Sequence, residues 1–454
     1  MTIKNVFIVG SGNVAKICLA NLATKDIGAE NQLNVIVYNP TRSHAEGIVK
    51  DAKSSSMSRM SDIIRSSSSS QIAFSSTDKL EKMADADLVI VLSGKFPSQE
   101  VLAKARLNGT DREVQSTSNY QDIKTLAQAF MQYNGKALVL MVTNPVDYFT
   151  RKFQELSGYD PKKILGFGCA LDSHRFMACL KDELELTQDI RVHRIKAHMV
   201  GFHNKDMFPH LGSIRINGYS LEQCTHSQFG IISKEAMGTC IDKAVDATRK
   251  YGAEITELNK NKIGASIDAG NLLGEFIGNY CFGIAYWVMP FTYYFPQASK
   301  QDDVQEYNGL KNTYFSYPMH IGVGKIEPIF PVFGDEFSQE EGRLRDLAIK
   351  NFNESVAKLD AFIQENEKIH EETVQLSATS CLSQDPSSSS SAPFSMLTQF
   401  ALSNSKPTLS LVPVLTGSGS LGDIQNDTAL NVKSNTAGSN DSVGGTQKTR
   451  ERLG

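Results

Sequence analysis

The sequence predicts an α/β fold, with a parallel sheet and crossover helices in the first half and an α+β second half. Three observations carry that prediction. Short apolar runs rich in β-branched residues alternate with helical patterns from residue 3 onward. A glycine pair, Gly10 and Gly12, stands at the first strand-to-helix turn. Further on, KKILGFGCALDSHRF and then GFH set charged and titratable side chains among apolar ones, the pattern of a cleft rather than of a solvated face.

Composition sets the outer bounds. With 454 residues, 41% of them hydrophobic, the chain can bury one or two full cores. Lys and Arg total 46 against 50 Asp and Glu, a near balance that argues against a general binder of nucleic acid or membrane surfaces. The seven cysteines are odd in number, scattered and without a CxxC, and read as reduced thiols of a cytoplasmic protein. No histidine has a zinc-type spacing alongside cysteines, so no metal site is expected. The N-terminus enters a strand directly, without a basic and apolar leader. Residues Phe276–Ser299 carry no charge, but Gly278, Gly283 and Pro290 interrupt them. They predict a buried helix reaching Trp287 and a strand from Pro290 to Phe295, not a membrane span.

Residues 3–9, IKNVFIV, form the first strand, and GSGNVA follows at once. Gly10 permits the tight turn, Gly12 lets the backbone approach a pyrophosphate, and Ala15 lets the helix pack closely. The helix N-terminus, at Asn13 and Val14, offers N–H groups to phosphate oxygens. Alone, this pattern is often only a loop. With a strand before it, a helix after it and a second strand at 33–38, it predicts a dinucleotide-binding Rossmann-type domain. The second strand ends in Asn39, where an acid would normally accept hydrogen bonds from the adenosine ribose. Asn39 still bonds a hydroxyl but repels no phosphate, and Arg42 lies three residues on. NAD is therefore favoured with NADP left open, and a plain helix cap at Asn39 is the simpler alternative.

Residues 53–70 are a low-complexity polar insertion, expected as a surface loop. Asp87–Gly94 is a buried strand ending in a Ser93-Gly94 turn. Tyr120–Tyr133 has a helical pattern, and the strand Lys136–Val142 runs into TNPVD at 143–147. Asp172 and Arg175 are spaced to share one helix face, which is most often a surface ion pair. Here Ile164, Leu165, Phe167, Leu171 and Phe176 hem the segment, so the pair is expected to face a cleft. A strand over 190–200 leads to His203. Beyond it come a helix over 234–262, antiparallel strands within 303–333 and a helix over 337–371. From about 373 the chain turns Ser-, Thr-, Gly- and Asn-rich. The expected organisation is a dinucleotide-binding domain at 1–150, a substrate domain at 151–372 and a disordered tail at 373–454.

TNPVD, LDSHRF and GFHNKDMFP, in this order, resemble the lactate/malate dehydrogenase family, the NAD-dependent 2-hydroxy acid dehydrogenases. The resemblance spans residues 3–365, with insertions. It implies His203 as catalytic base, held and charge-compensated by Asp172, as in hydrolase Asp–His pairs. Arg175 is then the planar fork for the substrate carboxylate, and Arg112 and Asn144 the donors to its C2 oxygen. The R-x-x-G-x-x-R-(x)6-N pattern through Arg106, Gly109, Arg112 and Asn119 is of the malate type. A second cation at Arg106 implies a dicarboxylate, malate or oxaloacetate. Ser93, Gly94, Asn119 and Val142 belong to the implied cofactor-binding set, and the family implies a homo-oligomer. Three departures stand out: Asn39, Asn204 in place of a glycine, and extra residues between Gly94 and Arg106. They keep open a lactate or other 2-hydroxy acid enzyme, and a non-catalytic nucleotide-binding protein on the same fold.

Overall fold

The computed structural model describes residues 2–56, 71–94, 111–226, 230–259, 264–296, 309–329 and 337–382. Strand β1 (Thr2–Val9) leads through Gly10–Gly12 into helix α1 (Asn13–Ala23). The pattern repeats with β2 (Asn31–Tyr38) and α2 (Arg42–Ser56), then β3 (Ile72–Thr77) and β4 (Leu88–Val91). Helix α3 (Asp111–Tyr133), β5 (Leu138–Met141), α4 (Val146–Ser157) and β6 (Ile164–Gly166) complete the parallel part. These six strands lie in the order β3-β2-β1-β4-β5-β6, all parallel. The order reverses between β1 and β4, the place where open parallel sheets bind ligands beyond their strand ends. Leu88–Val91 and Leu138–Met141 are buried at every residue, as strands covered on both faces must be.

Beyond β6 the sheet changes character. Strands β10 (Trp287–Phe295), β11 (Thr313–Gly322) and β12 (Lys325–Pro328) extend it antiparallel, giving nine strands in one sheet. A second antiparallel sheet holds β7 (Ile195–Val200), β8 (Phe208–Ile216) and β9 (Tyr219–Ser220). It packs with α5 (Cys169–Gln188) and α7 (Lys234–Leu258) around Phe176, Leu180, Met199, Ile214 and Ala244. The short α6 (Leu221–Cys224) opens with a capping box between Ser220 and Gln223. Helix α8 (Ile267–Phe282) crosses α1 through a small-residue ridge: Gly270, Gly274 and Gly278 face Ile17, Asn21 and Lys25. Helix α9 (Gln339–Leu382) closes the described chain.

Several boundaries differ from the sequence expectations for local reasons. The helix expected to reach Trp287 stops at Phe282, because Gly283 takes a left-handed conformation (φ +63°) and caps it. The strand then starts at Trp287 and continues through Pro290, which lies opposite Pro318. Two facing prolines fit a non-hydrogen-bonded pair, so no ladder bond between the strands is lost. The strand expected from 190 begins at Ile195, after left-handed Asp189 ends α5. Helix α7 closes at Leu258, short of 262. Helix α2 extends to Ser56, into the polar stretch taken as a loop, and the rest of that insertion lies outside the described residues. Helix α9 runs to Leu382 and not 371, since no Pro follows until Pro386. Residue 150, the expected domain boundary, falls inside α4, and Met1–Leu382 forms one compact unit. Among the described residues no helix is long and apolar enough to cross a membrane. Cys18, Cys169, Cys179, Cys224, Cys240 and Cys281 are free and buried.

Candidate active site

Two groups of residues gather beyond the C-terminal ends of the parallel strands. The first is the β1–α1 turn. Gly10 has φ +113°, and a Cβ there would lie 2.9 Å from the backbone of Leu92 and Ser93, so only glycine lets β1 and β4 close up at this point. A Cβ on Gly12 would meet nothing within 4 Å, which leaves open space over the turn. No side chain caps the N-terminus of α1. Open space over a glycine turn, next to unsatisfied N–H donors, fits a pyrophosphate. Asn13 is exposed at the head of α1 and Val14 half-buried beside it.

Asn39 is committed to its own surroundings. Its side-chain amide donates to Ser11 Oγ at 2.7 Å, and its carbonyl oxygen accepts from the Thr41 N–H at 2.8 Å. The capping role is therefore present alongside a tie to the glycine turn. Arg42 pairs with Glu46 at 2.9 Å on the surface. Across the crevice, Thr143 Oγ1 donates to the carbonyls of Val91 and Ser93, tying the end of β5, at half-buried Val142, to the Ser93-Gly94 turn.

The second group forms around His203. Its Nδ1 lies 2.6 Å from Asp172 Oδ2. Asp172 sits in the first turn of α5 with 1% of its side chain exposed. Arg175, one turn on, approaches Asp172 Oδ1 at 3.6 Å and lies over the Tyr251 ring, with its guanidinium carbon 5.7 Å from the ring centroid. The pair is buried and is not a surface ion pair. Burial disfavours a charged His203, but the charge and hydrogen bond of Asp172, with the charge of Asp147, outweigh it and hold the imidazole above its ordinary pKa. His203 thus favours a proton on the nitrogen facing Asp172, and its Nε2 is left for chemistry.

His203 arrives from the second sheet. Gly201, with φ +106°, makes an antiparallel bridge to Ser316 of β11, and the chain then turns over the head of α5. Asn204, in place of the family's glycine, is not in a left-handed conformation, so the substitution carries no backbone strain. Its side chain instead accepts from the Asp206 N–H at 2.7 Å and closes a local turn.

Other expected residues fall around this centre. Asn119 is buried in α3, and its amide donates to the Asn144 carbonyl at 3.2 Å. Asn144 itself is exposed, at a cis bond to Pro145. Arg112 is the second residue of α3, two turns before Asn119. Arg106 and Gly109 lie outside the described residues. Among the described residues, no group of His, Cys, Asp and Glu is arranged to hold a metal ion.

Sequence reasoning missed three neighbours. A Cβ on Gly168 would lie 2.6 Å from His203 Cβ, so a bare backbone is what admits His203 over α5. Tyr251, beneath Arg175, comes from a distant helix and carries no motif. Asp147, the last residue of TNPVD, accepts from the His203 backbone N–H at 2.7 Å. Of these, only Asp147 had a signal, its place in a motif already singled out.

A parallel sheet whose strand order reverses, with an open glycine turn at the switch point and a buried Asp–His pair on the same fold, defines an α/β protein of the dinucleotide-binding type. The comparisons agree with that class. Residues 4–166 match the model of the lactate/malate dehydrogenase NAD-binding domain. The malate dehydrogenase of Thermoplasma volcanium is 25% identical over 368 residues, covering 81% of this chain and 99% of that protein. Malate dehydrogenase 2 of Rhodopseudomonas palustris is 27% identical over 291 residues, 63% of this chain and 78% of that one. Among solved structures, Plasmodium falciparum malate dehydrogenase superposes with a TM-score of 0.61 at 20% identity, over 79% of this chain and 99% of that one. The chain is thus similar to the lactate/malate dehydrogenases, with its residues 4–166 matching their NAD-binding domain.

Proposed function

We propose that this protein is an NAD-dependent 2-hydroxy acid dehydrogenase that interconverts malate and oxaloacetate. The observation that carries the reading is the 2.6 Å contact between His203 and buried Asp172, with Arg175 one helical turn away. The Gly10–Gly12 turn and the N-terminus of α1 hold the pyrophosphate, and Ser93, Gly94, Asn119 and Val142 line the way toward the nicotinamide end. The cofactor, when bound, supplies the hydride chemistry. In the oxidative direction His203 takes the proton from the C2 hydroxyl, and Asp172 stabilises the imidazolium that forms. In the reductive direction the same imidazolium returns a proton to the C2 oxygen. Arg175 fixes the C1 carboxylate with its planar fork. Arg112 and Asn144 donate to the C2 oxygen as charge builds on it.

Substrate size is set by Arg106. A second guanidinium in the site would select a second carboxylate, and an unpaired one beside a methyl group would be costly. The engagement of Arg42 by Glu46 supports NAD over NADP, because a 2′-phosphate would have to compete for that guanidinium. We further read residues 1–150 as the nucleotide half and 151–372 as the substrate half, in a cytoplasmic homo-oligomer.

The test is reduction of oxaloacetate by the purified protein, followed by loss of reduced-nicotinamide absorbance. NADH and NADPH are run side by side, with pyruvate as second substrate and His203→Asn as control. The expected result is turnover of oxaloacetate with NADH that falls by about a hundredfold or more in the control. Turnover of pyruvate instead reassigns Arg106. Nucleotide binding without turnover of either substrate overturns the enzymatic reading.

A further inference from the structure

The His203–Asp172 pair has a second carboxylate behind it. Asp147, in the first turn of α4, is only 6% exposed and sits on the backbone side of the histidine. One oxygen, Oδ2, accepts from the His203 N–H at 2.7 Å. The other, Oδ1, accepts from Thr292 Oγ1 of β10. Thr292 Oγ1 is in turn 2.9 Å from Ser316 Oγ of β11, and both residues are fully buried. Ser316 also makes both backbone bonds of the bridge to Gly201, two residues before His203. A buried polar chain from three elements therefore converges on one loop, and each member of it is bonded.

Nothing in stability alone asks for this. A buried carboxylate costs free energy unless it is fully bonded, and an apolar residue could fill the space. Burial pushes the Asp147 carboxyl up, while the Thr292 bond and the charge of His203 pull it back down. Burial wins, and the carboxyl sits above its ordinary value, so every bond from its partners favours the charged form.

We propose that Asp147 is the positioning residue of the catalytic histidine: it pins the His203 backbone over Gly168 and acts as a second anion that keeps the imidazole basic. This rests on His203 being the proton-transfer group. Asp172 fixes the ring and Asp147 fixes the main chain, so the ring is held at both ends. Asp172 and Arg175 from α5, Asp147 from α4 and the Cys169 thiol at the head of α5 are the titratable and charged groups around it. Of these, only the two carboxylates favour the imidazolium.

The test reads His203 directly, without turnover. The imidazole titration of His203 is followed by NMR, its signal assigned by loss in His203→Asn, in the full protein and in Asp147→Asn. Asparagine keeps one oxygen as acceptor for the His203 N–H and removes the charge, with its NH2 turned toward Thr292 Oγ1, a hydroxyl that can accept as well as donate. The expected result is a titration midpoint lower in Asp147→Asn than in the unaltered protein. In oxaloacetate reduction, the basic limb of the kcat/KM profile moves down with it. Asp147→Ala, which removes the bond as well, should lower kcat by roughly a hundredfold with little change in nucleotide affinity. If Asp147→Asn does not fold, Thr292→Val is read the same way, since Asp147 without that donor takes up its own proton more readily. An unchanged His203 midpoint in the folded variants overturns the proposal, whether or not the unaltered protein turns over oxaloacetate. Absence of turnover with a normal shift of the midpoint would count against the dehydrogenase reading alone.

Discussion

The glycine crevice and the histidine centre sit beyond the same strand ends but are built in opposite ways. The crevice is largely local: Gly10, Ser11, Gly12 and the head of α1 are consecutive, and Leu92–Ser93, Asn39 and Thr143 join them from elsewhere. The centre is non-local. His203 follows β7, Asp172 and Gly168 lie at the head of α5, Asp147 is on α4, and Tyr251 on α7. A local site depends on the backbone of one turn. A non-local one depends on several packed elements agreeing within a few tenths of an ångström, so it is the more easily disturbed.

Single substitutions should separate the two regions. The largest effect is expected from Gly168→Ala, whose new methyl would press on His203 Cβ from 2.6 Å. The loop must lift, and steady-state kinetics should give a kcat lowered by roughly a hundredfold while nucleotide affinity stays unchanged. Gly12→Val is the mirror experiment. Nothing in the protein resists the side chain, but it fills the space over the turn. Fluorescence titration should show nucleotide affinity weakened by roughly ten- to hundredfold, with the melting temperature nearly unchanged. If either variant disturbs both properties equally, the two regions are not independent.

The smallest effect lies away from both. Glu341 of α9 accepts from His210, Leu211 and Ser338, and these bonds hold its carboxyl down to about 2 although burial opposes them. A depressed carboxyl stabilises the fold above its unfolded pKa, and that stability is lost as pH falls from about 4.5 toward 2. Glu341→Gln should therefore cost on the order of 2 kcal/mol at neutral pH. It should also flatten the fall in stability below pH 4.5 in urea titrations, with activity at neutral pH retained.

The same contrast explains what could be read in advance. The parallel sheet was legible because each buried strand is a continuous apolar run between turn signals, as in DLVIVLSG. The glycine turn was legible because one turn needs a fixed spacing in a contiguous stretch. His203, Asp172 and Arg175 were found through motifs and a family resemblance, which supply pairing that no single stretch contains. The three antiparallel strands added to the parallel sheet were only partly foreseen, as was the stop at Gly283 that sets where β10 begins.

The sequence by itself determined the class of fold and the nucleotide turn, because periodicity and local turn chemistry act over a few residues. Only the tertiary structure decided that Asn204 needs no left-handed backbone, that Gly168 makes room for His203, and that Asp147 bonds its main chain. Those facts depend on which atoms approach across 35 to 56 positions of chain (203 − 168 and 203 − 147). Such distances are set by packing of the whole core, and no local pattern encodes them.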